Sequence, residues 1–256
     1  MHAYEFLNKV PHSKTSTTGL SMILDKGLGL NEASDLVQSA GEYIDFIKFG
    51  WGTAATFESD LVVKKNKIYH DNKILTYPGG TLLEIAIQEK KLDLFFKETS
   101  RLGFNAIEVS DGSTSLSKKI RDNVIFLARE KGFFVVSEVG KKNPLLDHKI
   151  SIETRVSQIQ SDISSGSNFV IIEAREAGKN IGIYDESGNI ISQELDILAE
   201  IGTDKLIFEA PLKKQQVDLI LKFGPQVNLG NIASTDAISL ETLRTGLRGD
   251  TVGKIK

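Results

Sequence analysis

Short apolar runs alternate with longer amphipathic stretches along the whole chain. The apolar runs fall at 20–24, 43–49, 74–77, 105–109, 133–139, 168–173, 205–209 and 226–229. They are too short for helices and read as buried strands. Helical periodicity occupies 31–40, 82–102, 117–131, 152–165, 192–201, 213–223 and 236–247. Gly41, Gly103, Gly132, Gly166 and Gly202 stand just past helical stretches, where a left-handed C-cap belongs. Strand–helix alternation demands a parallel sheet with right-handed crossovers. Eight cycles predict an α/β fold of the (β/α)8 TIM-barrel kind. An open doubly wound sheet is the alternative, but no G-x-G-x-x-G motif follows the first strand. No linker or composition shift divides the chain, so 1–256 reads as one barrel domain. Residues 1–18 form a polar leader expected to cover the barrel bottom.

A length of 256 residues suits one such barrel. Thirty-one basic against 34 acidic residues leave a net charge of −3, so no basic excess marks a nucleic-acid surface. The absence of cysteine excludes disulfides, thiolate nucleophiles and zinc–thiolate sites. No run approaches the ~20 apolar residues of a membrane span, and the N-terminus lacks an apolar signal region. A cytoplasmic protein without membrane or nucleic-acid partners is the expectation.

Catalytic residues of this fold collect at the C-terminal ends of the strands. Glu108, Glu138, Glu173 and Glu209 each close an apolar strand, separated by 30, 35 and 36 residues, one βα unit each. Asp25 closes the first strand similarly, and Asp111 follows the fourth. Carboxylates crowded on one rim raise each other's pKa unless something positive lies among them. Singly, each would read as a salt-bridge partner. Together they point to a metal or acid–base site, and oxygen-only donors favour Mg²⁺. Lys48 interrupts an apolar strand and reads either as an outward-snorkelling side chain or as an anion clamp. Lys141 and Lys142 follow the fifth strand, as exposed loop residues or as a general acid beside the carboxylates. Arg175 shares a side with Glu173 if the strand continues.

Two glycine turns enter helices and present N–H groups to an anion: Gly79-Gly80-Thr81, with Thr81 and Glu84 as a capping box, and Asn228-Leu229-Gly230-Asn231 after the last strand. Arg244 and Arg248 near the C-terminus offer bidentate recognition, although one of them fits a helix-end charge. Connections 140–151 and 178–192 are long enough for lids over the mouth, the second carrying a hairpin turned at Ser187-Gly188-Asn189.

Several longer motifs resemble the phosphosulfolactate synthase family. They are Asp25-Lys26-Gly27, 43–53, Gly79-Gly80-Thr81, 137–142, 172–176, 208–211, 227–232 and 240–251, so the resemblance runs from about residue 14 to the C-terminus. It implies a TIM barrel, Mg²⁺, and addition of sulfite to phosphoenolpyruvate giving (R)-2-phospho-3-sulfolactate, the opening step of coenzyme M biosynthesis in methanogens. Under it, Glu138, Glu173, Glu209, Glu108 and Asp25 are metal candidates. Lys142 is the proton donor, with Lys141 and Lys48 as alternatives. Lys26, Gly80, Thr81, Arg175, Asn228, Gly230, Asn231 and Arg248 form the anion-binding set. A homo-oligomer is also implied. One departure stands out: the family's Lys-Pro-Arg stretch reads Lys14-Thr15-Ser16 here. Related chains occur in bacteria and in plants, where heat tolerance is associated with them. A family member with altered catalysis acting as a stress-related binding protein, and another phosphoenolpyruvate lyase, are therefore the alternatives.

Overall fold

The computed structural model describes residues 3–7, 12–14 and 16–255. In chain order its elements are β1 (Ser21–Asp25), α1 (Leu30–Ala40), β2 (Phe46–Phe49), α2 (Ser59–Asp71), β3 (Leu75–Pro78), α3 (Thr81–Gln88) and α4 (Leu92–Arg101). There follow β4 (Ala106–Val109), α5 (Lys118–Glu130), β5 (Phe134–Val139), α6 (Pro144–Asp147), α7 (Ile152–Ser165) and β6 (Phe169–Ile172). The last are α8 (Ser192–Ala199), β7 (Leu206–Glu209), α9 (Lys213–Phe223), β8 (Leu229–Ala233) and α10 (Ala237–Arg244). The eight strands form one parallel sheet in the order β3-β2-β1-β8-β7-β6-β5-β4. At the β3–β4 seam the main-chain ladder gives way to side chains. Asn105 Oδ1 accepts from the Thr76 N–H at 2.8 Å, and Glu108 Oε1 from the Gly80 N–H at 2.7 Å. The result is a nearly closed (β/α)8 barrel.

Strand alternation divides the core in two. Met22, Phe46, Tyr77, Ala106, Val136, Phe169, Ile171 and Ile207 fill the lumen. Their neighbours Ile23, Ile47, Val170 and Phe208 face outward and pack with helix residues such as Leu36, Val62 and Leu219. Phe46 anchors the lumen, with ring centroids 5.6 Å from Phe134 and 6.3 Å from Phe169.

Several boundaries depart from the pattern. The helix α2 was not legible, because its inward positions include Lys65 and Asn66 beside Val62 and Tyr69. The stretch 82–102 is two helices broken at Glu89–Lys91, with Lys90 at φ 56°. Gly103, Gly132, Gly166 and Gly202 take positive φ as expected, but Gly41 lies at φ −56° and opens a single 3-10 turn. The last strand starts at Leu229, three residues later than the apolar run suggested. This moves Asn228 to the N-terminal face, where its amide holds the Leu20 N–H at 3.0 Å and the Leu206 carbonyl at 3.1 Å. The hairpin in 178–192 is reduced to isolated bridges of Tyr184 with Ile181 and Ile190.

The N-terminal face is closed by polar contacts. Arg244 donates to the carbonyls of Pro225, Val227 and Leu20, and His12 meets Asp45 at 3.2 Å. Lys14 donates to the Ile44 carbonyl, and Thr15 lies outside the described residues. Lys14, the first residue at the position of the departed motif, therefore lies at the end opposite the strand C-termini. No helix among the described residues is long and apolar enough to cross a membrane.

Candidate active site

A cavity of about 370 Å³ opens at the C-terminal ends of the strands. Lys48, Gly79, Gly80, Thr81, Lys142, Glu173, Arg175, Glu209 and Asn231 line it, with Trp51 on the rim. The four glutamates reach this end because each stands two residues beyond a lumen residue: Ala106, Val136, Ile171 and Ile207. All four are buried.

Lys48 enters from β2 into the middle of them. Its Nζ lies 2.8 Å from Glu108 Oε2, 2.9 Å from Glu138 Oε2 and 3.7 Å from Glu209 Oε1. Burial works to lower its pKa, but the three carboxylates prevail and hold it well above the ordinary lysine value. Gly79 packs closely on β2, since a Cβ there would stand 3.3 Å from the Phe49 carbonyl. Gly80 has no room for a side chain either: a Cβ would meet Ser110 Oγ at 2.3 Å.

The carboxyls divide by environment. Burial raises Glu138, but Lys48, Lys142 and a hydrogen bond from Glu173 pull it down to about 2. Burial pushes Glu173 well above the carboxylate range, reinforced by the charges of Glu138 and Glu209. Burial also raises Glu209 against the pull of Lys48, and brings Glu108 to about 7 against the same lysine. The charged form is thus favoured at Glu138 and disfavoured at its neighbour Glu173. Glu138 Oε1 and Glu173 Oε2 meet no N–H or O–H donor from the rest of the described residues. Two such buried oxygens require a shared proton or a cation. Oxygens of Glu138, Glu173 and Glu209 all lie within 4.8 Å of one another, an oxygen-only donor set that fits a hard divalent cation.

The other oxygens of this trio are fixed by the chain turning after β6. The Arg175 N–H is shared between Glu173 Oε1 at 2.7 Å and Glu209 Oε2 at 3.1 Å. The Ala174 N–H and Asn231 Nδ2 also donate to Glu209 Oε2, at 2.9 and 3.3 Å. Arg175 takes a left-handed φ of 57°, a strained backbone of the kind that accumulates at functional sites. Its exposed guanidinium donates to the Lys142 carbonyl at 2.9 Å. Lys142 reaches into the cavity and donates to Thr81 Oγ1 at 2.7 Å. Burial opposes its charge, but Glu138 and the other glutamates keep its pKa raised.

The structure separates other candidates from this cavity. Asp25 belongs to the outward face of β1. Its oxygens accept from Lys65 Nζ at 2.6 Å, Tyr69 OH at 3.1 Å and the N–H groups of Gly27 and Leu28 at 2.9 Å. It holds the β1–α1 turn rather than joining the carboxylate trio. Glu108 is likewise apart from the trio, taken up by Lys48 and the Gly80 N–H. Lys141 points away, to Asp111 Oδ2 at 2.6 Å and the carbonyls of Asp111 and Thr114. Asn228 lies at the opposite end of the barrel. Arg248 is 3.9 Å from Asp250 and does not line the cavity. Gly230 is a packing glycine, for a Cβ there would meet Met22 Cε at 2.6 Å. The Gly80 N–H, spent on Glu108, is not free for an anion. Lys26 sits 4.9 Å over the exposed Trp51 ring at the rim. Thr81 and Glu84 make no capping box. Glu84 is buried and accepts from Ser110 Oγ, the Ser113 N–H and Thr114 Oγ1.

The residues supporting the site were not legible in the sequence. Arg121 joins Asp162 at 2.6 and 2.8 Å, Asp111 at 3.2 Å and the Glu138 carbonyl at 2.9 Å, steadying the end of β5. Gln215 donates to the carbonyls of Gly178 and Gly188. Asp147 accepts from the Lys141 N–H of the 140–151 connection and the Gly182 N–H of the 178–192 connection, so neither is a free flap.

The fold and this cavity define a (β/α)8-barrel enzyme acting on small molecules. Residues 10–250 match the family model described as (2R)-phospho-3-sulfolactate synthase (ComA), and the chain belongs to that family. It is 49% identical over 256 residues to phosphosulfolactate synthase of Methanocaldococcus jannaschii, covering 100% of both chains. It is 44% identical over 256 residues to the enzyme of that name from Methanothermobacter thermautotrophicus, covering 100% of this chain and 99% of the relative. Among solved structures, 3-hexulose-6-phosphate synthase superposes with a TM-score of 0.54 at 15% identity, over 88% of this chain and 97% of the other. That likeness concerns the fold alone.

Proposed function

We propose that the protein adds sulfite to phosphoenolpyruvate, giving (R)-2-phospho-3-sulfolactate, with Mg²⁺ held by Glu138, Glu173 and Glu209. The observation that carries this reading is the carboxylate trio, two of whose members, Glu173 and Glu209, line a cavity that also presents Lys142, while Glu138 Oε1 and Glu173 Oε2 meet no donor outside the trio. Bound there, Mg²⁺ would supply positive charge against the negative charge that develops on the substrate carboxylate. A cation there would favour the ionised form of Glu173, which would join Glu138 as a ligand.

The remaining work falls to the chain. The sulfite sulfur lone pair forms the bond to C3, and the C2–C3 π pair moves onto C2 and the C1 carboxylate. Lys142, charged and held by Thr81, delivers a proton to C2 from one face and recovers it from water. No atom leaves the substrate. Lys48 neutralises the floor, while Lys142 and Arg175 offer charge to the anionic groups at the mouth. Thr81 opens α3, whose N-terminal dipole faces the cavity and favours an anion there.

The experiment is ¹³C and ³¹P NMR of the purified enzyme with phosphoenolpyruvate, sulfite and Mg²⁺. A new carbon–sulfur product that retains its phosphoryl group is expected, lost on chelation and restored by Mg²⁺. Unchanged substrates, or release of phosphate without carbon–sulfur bond formation, would reject the reading.

A further inference from the structure

We propose that Asp147 is a positioning residue that sets Lys142 over the carboxylate floor, an inference that rests on Lys142 acting as the proton donor described above. Asp147 ends α6, in the connection after β5, and is fully buried. Its carboxylate accepts three N–H groups from three different segments. Oδ1 takes the Lys141 N–H at 2.7 Å. Oδ2 takes the Gly182 N–H at 2.8 Å and Arg155 Nη2 at 2.7 Å. The same guanidinium nitrogen reaches the Asp147 carbonyl at 3.0 Å. One side chain therefore joins the turn carrying Lys142, the connection after β6, and α7.

Lys142 stands one residue beyond the first of these bonds. Its N–H is held by the Gly112 carbonyl at 2.9 Å and its carbonyl by Arg175 at 2.9 Å. Gly140, at φ 135°, lies between the floor and Asp147. A Cβ there would meet Glu173 Cβ at 2.7 Å and Asp147 Oδ1 at 3.3 Å. The turn is thus pressed between a carboxylate of the site and the carboxylate that fixes its backbone. A shift of Asp147 moves Lys141, and Lys142 follows. A displacement of about 1 Å in a reacting group costs on the order of 10²-fold in rate.

The chemistry of the contact supplies the variant. All three partners only donate, and an ionised carboxylate only accepts. Asp147→Asn keeps the shape but presents an amide NH₂ to donors whichever way it turns. It loses either Lys141 or the Gly182–Arg155 pair. The test measures steady-state kinetics of the Mg²⁺-loaded enzyme with phosphoenolpyruvate and sulfite, for D147N, K142A and the double variant. D147N is expected to lower kcat about 10²-fold while KM for phosphoenolpyruvate changes less than about twofold. In the K142A background D147N should add no further loss, because the two act through one group. A wild-type kcat for D147N, or a double variant slowed by the product of the separate factors, would overturn the positioning role. A wild-type rate for K142A would instead refute the donor assignment on which it rests. Should D147N not fold, R155K serves in its place. It is expected to lower kcat in the wild-type background and to have no effect in the K142A background, and a loss that persists there would overturn the proposal.

Discussion

Replacing Lys48 by methionine tests the electrostatics of the site floor. The side chain keeps its length and loses its charge, so little cavity forms. Three buried carboxyls within 2.8–3.7 Å of Nζ lose their internal cation. Removing one partner of a buried ion pair costs about 3–5 kcal/mol. In a chain this long each kcal/mol is worth about 2–4 °C, so the midpoint should fall by about 6–20 °C in chelated buffer. The pH dependence gives a sharper reading. Glu108 already sits at about 7, above its unfolded value, chiefly through burial. A carboxyl raised on folding loses stability as pH climbs from the unfolded toward the folded pKa. Without Lys48 that folded pKa rises further, and Glu138 loses the attraction that holds it at about 2. The Glu108 effect makes the variant's deficit grow from pH 5 to pH 8, whereas the Glu138 part is already present at pH 5 and fades only below the unfolded carboxylate range. The assay is urea unfolding of wild type and variant across that range. A deficit below about 1 kcal/mol, or one that stays flat with pH, would refute the reasoning.

Lys142→Ala should lower turnover by about 10²–10⁴-fold while phosphoenolpyruvate still binds, and should abolish solvent exchange of the C2 proton of the product. Exchange at the wild-type rate would reduce the lysine to an anion clamp. Arg175→Ala should weaken phosphoenolpyruvate binding, whereas Arg248→Ala, outside the cavity, should leave KM unchanged; the reverse ranking would contradict the site's geometry. Gly80→Ala forces a Cβ to 2.3 Å from Ser110 Oγ and 2.8 Å from Glu108 Oε1, and overpacking of that kind costs about 1–3 kcal/mol. Denaturant unfolding should show this loss, with part of it recovered by Ser110→Ala.

Strand–helix alternation made the barrel legible, and the spacing of Glu138, Glu173 and Glu209 pointed to one end of it. Parity was harder. Both faces of a barrel strand are buried, so apolar alternation is silent about which side faces the lumen. Asp25 ends its strand as the glutamates end theirs, yet it follows Leu24 on the opposite parity and faces α2. The partner that explains it, Lys65, lies fully buried between the Phe49 and Phe57 rings, 4.6 Å from each centroid. A lysine pointing inward from α2 is also what concealed that helix. Asn228 misled through a three-residue error in where β8 begins. Asp147 and Arg155 left no signal, because a buried ion pair between a short helix and its successor has no sequence pattern of its own, and Glu84, read as half of a capping box, serves Ser110, Ser113 and Thr114 instead.

The proposed placement of a divalent cation at Glu138, Glu173 and Glu209 stands at the centre of the proposed mechanism, and Mn²⁺ can report it directly. Crystals grown with Mn²⁺ and phosphoenolpyruvate should give one anomalous peak at bonding distance from carboxylate oxygens of Glu138, Glu173 and Glu209, with C2 of the substrate turned toward Lys142. A peak elsewhere in the barrel, or active crystals with none at this trio, would contradict the assignment.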